Sequence, residues 1–262
     1  MTAVTLPDLV RIPAGPFTMG SDDGNENERP TRRVTLDSFW IGASPVTHLD
    51  YVPFLRATGR RAPDVRDLPA IVPGDRGQEF RQLCTPYGWR GAQPPEKKGD
   101  HPVVLVTHDD ASAYCRWLAA QTGRPVRLPT EAEFEKAARG GREGARYPWG
   151  DMLEPTRANF LAPGRTRATS GTSPVRSLPP NDAGVYDIVG NVWEWVSDWY
   201  RADCYALGVV RNPIGPPTGT LRVVRGGGWT NNHPMHLQCS HRLPVPQDTY
   251  SYSIGFRIAV TE

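Results

Sequence analysis

The chain has 262 residues, with 27 prolines, 26 glycines and eight tryptophans, enough for one sizeable core built from short elements and many turns. Its formal charge is +2 with acids and bases interspersed, so no nucleic-acid partner is expected. No window of about 18 apolar residues appears, and the start "MTAVTLPDLVRIPAG" lacks a basic stretch followed by an apolar run, so no membrane partner and a cytoplasmic address are expected.

In chain order, "LVRIPAGPFTMGS" (9–21) alternates and ends in a turn, which predicts a strand. The acidic "DDGNENERP" (22–30) reads as a solvated loop, and "RRVTLDSFWIG" (32–42) as a second strand. "VTHLDYVPFLRATG" (46–59) has helical spacing through Leu49, Val52 and Leu55, with Pro53 placed in the first turn. Residues 60–100 read as a long loop, a lid or a partner contact.

The clearest helices follow. "THDDASAYCRWLAAQTG" (107–123) opens on Thr107 and closes on Gly123. "LPTEAEFEKAARGG" (128–141) carries a capping box from Thr130 to Glu133, which gives Glu131 and Glu133 a structural role as cap and dipole partners. Beyond it come loops and short strands: "LRVVRGGGW" (221–229) is a strand running into a glycine bend, and "SIGFRIAV" (253–260) a final strand. The four cysteines form no C-x-x-C pair, so free thiols are expected, Cys115 among them on an apolar helix face. Few helices among many short strands imply an α+β class.

Together, "IPAGPFTMGS", "RLPTEAEFEKAARGG", "YPWGD", "YDIVGNVWEWVSDWY", "RVVRGGGW" and "IGFRIA" resemble the formylglycine-generating enzyme family, also called the sulfatase-modifying factor family. The pieces stand in family order from about residue 9 to 260. The resemblance implies a single domain over 1–262 with a loop-rich, C-type-lectin-like fold. It does not fix the activity. The family holds copper-dependent oxidases that convert a sulfatase cysteine to formylglycine, domains of iron-dependent sulfoxide synthases, a protein of pyoverdine maturation, and variable ligand-binding proteins.

The site stretch "RGGGWTNNHPMHLQCSHR" departs from the copper-binding branch. By the resemblance, Gly228 stands at a serine position and Trp229 at an aromatic one. The two copper-binding cysteine positions fall on Asn231 and His236. A soft Cu(I) dithiolate cannot be built from these two residues. What remains is His233, His236, Cys239 and His241, of which His236, His233 and Cys239 are the candidate catalytic residues. Imidazoles suit iron or copper, although Pro234 argues for a loop. The same residues read equally as the polar lining of a substrate cleft, or as an uninvolved loop. Trp229, Asn231, Asn232, His241 and Arg242 are the candidate substrate contacts, with Arg242 for an anionic group.

The resemblance also implies a structural Ca²⁺ held by Asp187, the carbonyls of Gly190 and Val192, and Glu194, an all-oxygen set that suits a hard cation. A second family calcium site, beginning at Asn159–Phe160, would need an acid in "RTRATSG" (165–171), which has none. Arg225 and Arg257 are expected to tie loops together, and His48 to be a satisfied polar residue at a helix start. The leading expectation is an oxidative tailoring enzyme acting on a small metabolite or peptide. The alternative is a non-catalytic ligand-binding module on the same fold.

Overall fold

The computed structural model of the chain describes residues 4–65, 69, 72–167 and 170–262. Small parts of the N-terminal start, the 60–100 segment and the 165–171 stretch lie outside the described residues. Among the described residues, no helix is long and apolar enough to cross a membrane.

The first two expected strands each divide. Residues Leu9–Ile12 (β1) and Gly15–Met19 (β2) belong to different sheets, separated by Pro13 and by Gly15 at φ 129°. Likewise Arg32–Leu36 (β3) pairs with β2 in a hairpin, while Phe39–Gly42 (β4) pairs with β1. The last expected strand divides too, into Ile254–Phe256 (β9) and Ala259–Thr261 (β10). With Val126–Arg127 (β5), Trp193–Trp199 (β6), Leu221–Arg225 (β7) and Arg242–Pro246 (β8), the strands form a β1-β4-β10-β5 sheet, the β2-β3 hairpin, and a β8-β7-β6-β9 sheet. Alternation marks extended chain but does not say where one sheet ends and another begins.

Helices α1 (His48–Thr58), α3 (His108–Thr122) and α4 (Glu131–Arg139) all start with a complete capping box and end on an αL glycine. Pro53 lies inside α1, beyond the first turn where the sequence reading put it. The 60–100 segment contains a helix that the reading missed, α2 (Gly77–Cys84), which buries Phe80 and Cys84 on one face. Strand β8 was also missed, because "RLPVP" looks like stiffened loop. It is a sheet edge, where a proline whose missing N–H would face outward costs no ladder bond.

Two cores flank the third sheet. On one side α1 and α3 pack Tyr51, Phe54 and Tyr114 against Trp195 and Phe256, with Tyr51 stacked on Tyr114 at 5.4 Å. On the other, α4 and the β2–β3 hairpin pack Phe134, Phe17 and Val34 against Val196 and Val223. Buried charge joins α4 to β7 and β8. Arg225 reaches Glu131 at 3.0 Å and Glu135 at 2.7 Å, and Arg242 takes both oxygens of Glu131 at 2.8 and 2.7 Å. Arg257, between β9 and β10, takes both oxygens of Glu194 at 2.7 and 2.8 Å. Arg225 and Arg257 thus tie distant segments together as expected. All four cysteines are free.

Candidate functional site

Strand β7 runs into the glycine bend that positions the site. Gly226 and Gly227 have φ of 89° and 71°, which L side chains rarely adopt. A Cβ on Gly227 would stand 2.5 Å from the carbonyl oxygen of His236. The bend therefore brings the chain of 226–228 directly against the short 3₁₀ turn Pro234–Leu237.

Asn231 joins these two pieces. Its Oδ1 accepts from the Gly228 amide at 2.7 Å, which fixes the orientation of the carboxamide. Its Nδ2 is then left facing His236 Nδ1 at 2.9 Å. An NH₂ group only donates, so Nδ1 must carry the lone pair and the ring proton sits on Nε2. Burial, with the His241 and His233 rings beside it opposing a further positive charge, pushes His236 down to about 4, so the ring is neutral at physiological pH.

Behind His236 lies His241, with ring centroids 5.0 Å apart. Trp193 packs 5.9 Å from the first ring and 5.7 Å from the second. His241 is 5% exposed, and its Nδ1 lies 3.3 Å from Oε1 of Glu28. Asn25 Nδ2 is also 3.3 Å from that nitrogen, but it donates to Glu28 at 2.8 Å. The carboxylate is the acceptor that orients the ring, so the Nδ1–H points at Glu28. His241 Nε2 keeps a lone pair that is buried with no partner. Glu28 itself is 1% exposed and accepts from Ser240 Oγ at 2.7 Å. Burial would raise its pKa, but hydrogen bonds from His241 and Ser240 outweigh it and hold the carboxyl down at about 2.

Glu28 is the site residue that the sequence reading missed, having placed it in a solvated acidic loop. Nothing local distinguishes it from Glu26. Apart from Asn25, its partners Ser240 and His241 lie more than two hundred residues away, and only the fold brings them together.

The other expected residues separate. His233 is exposed and caps the 3₁₀ turn, its Nδ1 accepting from the Met235 amide at 3.3 Å, with its ring 6.0 Å from His236. Asn232 is exposed. Trp229 is buried, donates to the Tyr252 carbonyl at 3.2 Å, and lines a cavity of about 390 Å³ with Tyr87, Lys98 and Arg167. Cys239 is in the α4-side core, and burial pushes its thiol up to about 12. It is no thiolate, and the charges around it belong to Arg139, Glu135 and Arg225 rather than to the histidines. Arg242 does not offer its charge to a substrate. It is buried with both guanidinium edges spent on Glu131 and on the carbonyls of Asn27 and Arg201.

The donor sets can be weighed against the metals. A metal-bound imidazole normally gives its second nitrogen's proton to an acceptor. His236 instead faces an amide donor on Nδ1, so its Nε2 is protonated and closed to a metal. Among the described residues no group of three or more His, Cys, Asp or Glu is gathered to hold an ion. The residues present do not fit a bound iron or copper. For calcium the set fits in part. Asp187 is a half-buried carboxylate whose pKa is raised by desolvation, with one short donor, the Arg176 amide at 2.8 Å, and the Asn191 amide at 3.4 Å. It and the Gly190 and Val192 carbonyls would be the donors. Glu194 is held on both oxygens by Arg257.

Comparison with known proteins gives the same fold. The sulfatase-modifying factor enzyme 1-like domain profile matches residues 1–262. The chain is 34% identical to the formylglycine-generating enzyme of Bos taurus, over 96% of this chain and 74% of that one. It is 36% identical to the formylglycine-generating enzyme of Streptomyces coelicolor, over 95% and 88%. Among solved structures, PvdO of Pseudomonas aeruginosa aligns with a TM-score of 0.77 at 30% identity, over 98% of this chain and 95% of that one.

Proposed function

We propose that this chain, which belongs to the sulfatase-modifying factor enzyme 1-like family, is an oxidative tailoring enzyme for a small metabolite or peptide and not a formylglycine generator. The observation that carries the reading is the unpartnered, buried Nε2 of His241, backed by Glu28 and set behind His236. By the resemblance, His236 stands at one of the two copper-binding cysteine positions of the formylglycine-generating branch and Asn231 at the other, so the thiol pair is replaced here.

The two rings have different roles. His236 is a neutral imidazole with its proton on Nε2, so it acts as a hydrogen-bond donor toward an oxygen that gains negative charge. His241 holds the complementary lone pair, and Glu28 stabilises the imidazolium that forms when it takes a proton. The arrangement suits a substrate with an ionisable hydroxyl beside the bond to be oxidised. Ionised, such a substrate is electron-rich. Loss of two electrons and two protons to dioxygen would give the oxidised product and one hydrogen peroxide.

The test is oxygen uptake by purified protein with hydroxyl-bearing aromatic acids and tyrosyl peptides, beside a cysteine peptide of the sulfatase type with added copper. Uptake matched by hydrogen peroxide with a hydroxylated substrate, lost in His241→Gln, is expected. Aldehyde formation on the cysteine peptide would overturn the proposal. Saturable binding of a candidate without turnover would point instead to a ligand-binding module.

A further inference from the structure

A second cavity, of about 280 Å³, opens between the β2–β3 hairpin, the start of α4 and the loop around residues 204–216. Its outer wall is apolar: Leu207, Val209 and Ile214 are all at least half exposed, with Ile214 at 69%. Large apolar side chains gathered on one exposed loop are costly in water and mark a surface that something covers.

At the polar end stands Arg32. Its Nη1 donates to the carbonyl oxygens of Cys204 at 3.2 Å and Val209 at 3.3 Å, and Nη2 meets only the Met19 sulfur at 3.7 Å. Its Nε is buried without a partner. Among the described residues its acceptors are carbonyls and a thioether, none of them a carboxylate. The guanidinium rests on one face of the Tyr205 ring, 4.6 Å from its centroid, with Arg242 also 4.6 Å from that centroid. Arg242 has Glu131 to neutralise it, and Arg32 has no such partner. A half-buried guanidinium with its Nε buried and unpartnered, and with no carboxylate beside it, is left short of an anion at this cavity.

We propose that this cavity is a second binding site, taking a small carboxylic acid with an apolar tail: the carboxylate on Arg32, the tail against Leu207, Val209 and Ile214. The acidic groups at the cavity do not oppose this. Glu131 is saturated by Arg225 and Arg242. Asp198 accepts from the Glu131 amide and Ser197, and burial together with Glu131 pushes it up to about 7, so it carries at most part of a charge near neutrality.

Calorimetric titration of the full chain with phenylacetate and hexanoate tests the assignment, with phenylacetamide and phenethylamine as controls. At least one acid should bind saturably, and the uncharged amide about tenfold more weakly or less, the ratio expected for losing a charge-assisted hydrogen bond. Arg32→Gln should lose the difference between acid and amide. Because Arg32 also staples the loop, Ile214→Asp is the second variant: an exposed side chain outside either core, it should weaken the acid without lowering the melting temperature. No binding of either acid, equal binding of acid and amide, or preference for the amine would each overturn the proposal.

Discussion

The carboxamide of Asn231 holds His236 from the one ring nitrogen that could otherwise take a proton, at 2.9 Å, while its oxygen is locked by the Gly228 amide. By the resemblance, these are the two positions that correspond to the copper-binding cysteines of the formylglycine-generating branch. An amide and an imidazole cannot form a soft thiolate site, and here they fix a neutral imidazole instead.

That contact makes a prediction about titration. In Asn231→Asp, one carboxylate oxygen would keep the Gly228 amide and the other would accept from Nδ1–H of His236, favouring the imidazolium. The His236 midpoint, about 4 in the native protein, should move upward, and ¹⁵N shifts should show the neutral ring of the native protein protonated on Nε2. An unchanged midpoint would show that the hydrogen bond does not set the tautomer.

Acid should destabilise the fold over a defined window. His236 and His108 are pushed down to about 4 and His48 to about 3, against 6.5 when unfolded. Between these values the unfolded chain binds more protons, so stability is full above 6.5 and is lost as pH falls toward 4. Each proton wholly withheld corresponds to about 1.4 kcal/mol per pH unit, less for the half-buried His236. Glu28, held near 2 against 4.5, adds a further loss below 4.5. Melting temperatures from pH 8 to 3 should therefore be level and then decline from about 6.5. In His48→Phe the early part of the decline should be shallower.

How much of this was legible in the chain depends on the range of the interaction. The capping boxes at Thr107 and Thr130 and the αL glycines were readable because each is complete within four residues. The resemblance supplied the fold. The site was half legible: the sequence located Asn231 and His236 but not their hydrogen bond. It offered Arg242 to a substrate because the charge of Glu131, which consumes that arginine, is 111 residues away. Glu28 was invisible for the same reason.

The buried network joining α4 to β7 and β8 gives a stability prediction. Glu131 neutralises both Arg225 and Arg242, and all three side chains are almost wholly enclosed. Glu131→Ala would leave the buried Arg242 without its carboxylate, and Arg225 with only Glu135, which Arg139 shares, a change that costs about 3–5 kcal/mol. Denaturant unfolding should show a loss of that order. A loss below about 1 kcal/mol, the range of surface pairs, would mean that water reaches the network.

Calcium should stabilise the protein through Asp187. A ligand that binds only the folded state raises the melting temperature by mass action. EDTA followed by Ca²⁺ should lower and then restore it in the native protein but not in Asp187→Asn. Native protein insensitive to both would remove calcium from the account, and a response retained in the variant would move the site elsewhere.

The glycine bend can be tested independently of any substrate. At Gly227 a methyl group would stand 2.5 Å from the His236 carbonyl, with backbone φ at 71°. An alanine there must bear αL strain of about 1–3 kcal/mol and also push the 234–237 turn away from the bend. Gly227→Ala should therefore disturb the His236 resonances and its hydrogen bond to Asn231, and lower stability by at least that strain. At Gly123, which caps α3 at φ 66°, a Cβ would meet nothing within 4 Å. Gly123→Ala should show the backbone strain without the change at His236. If the two variants leave the His236 spectrum equally intact, the bend does not position the site.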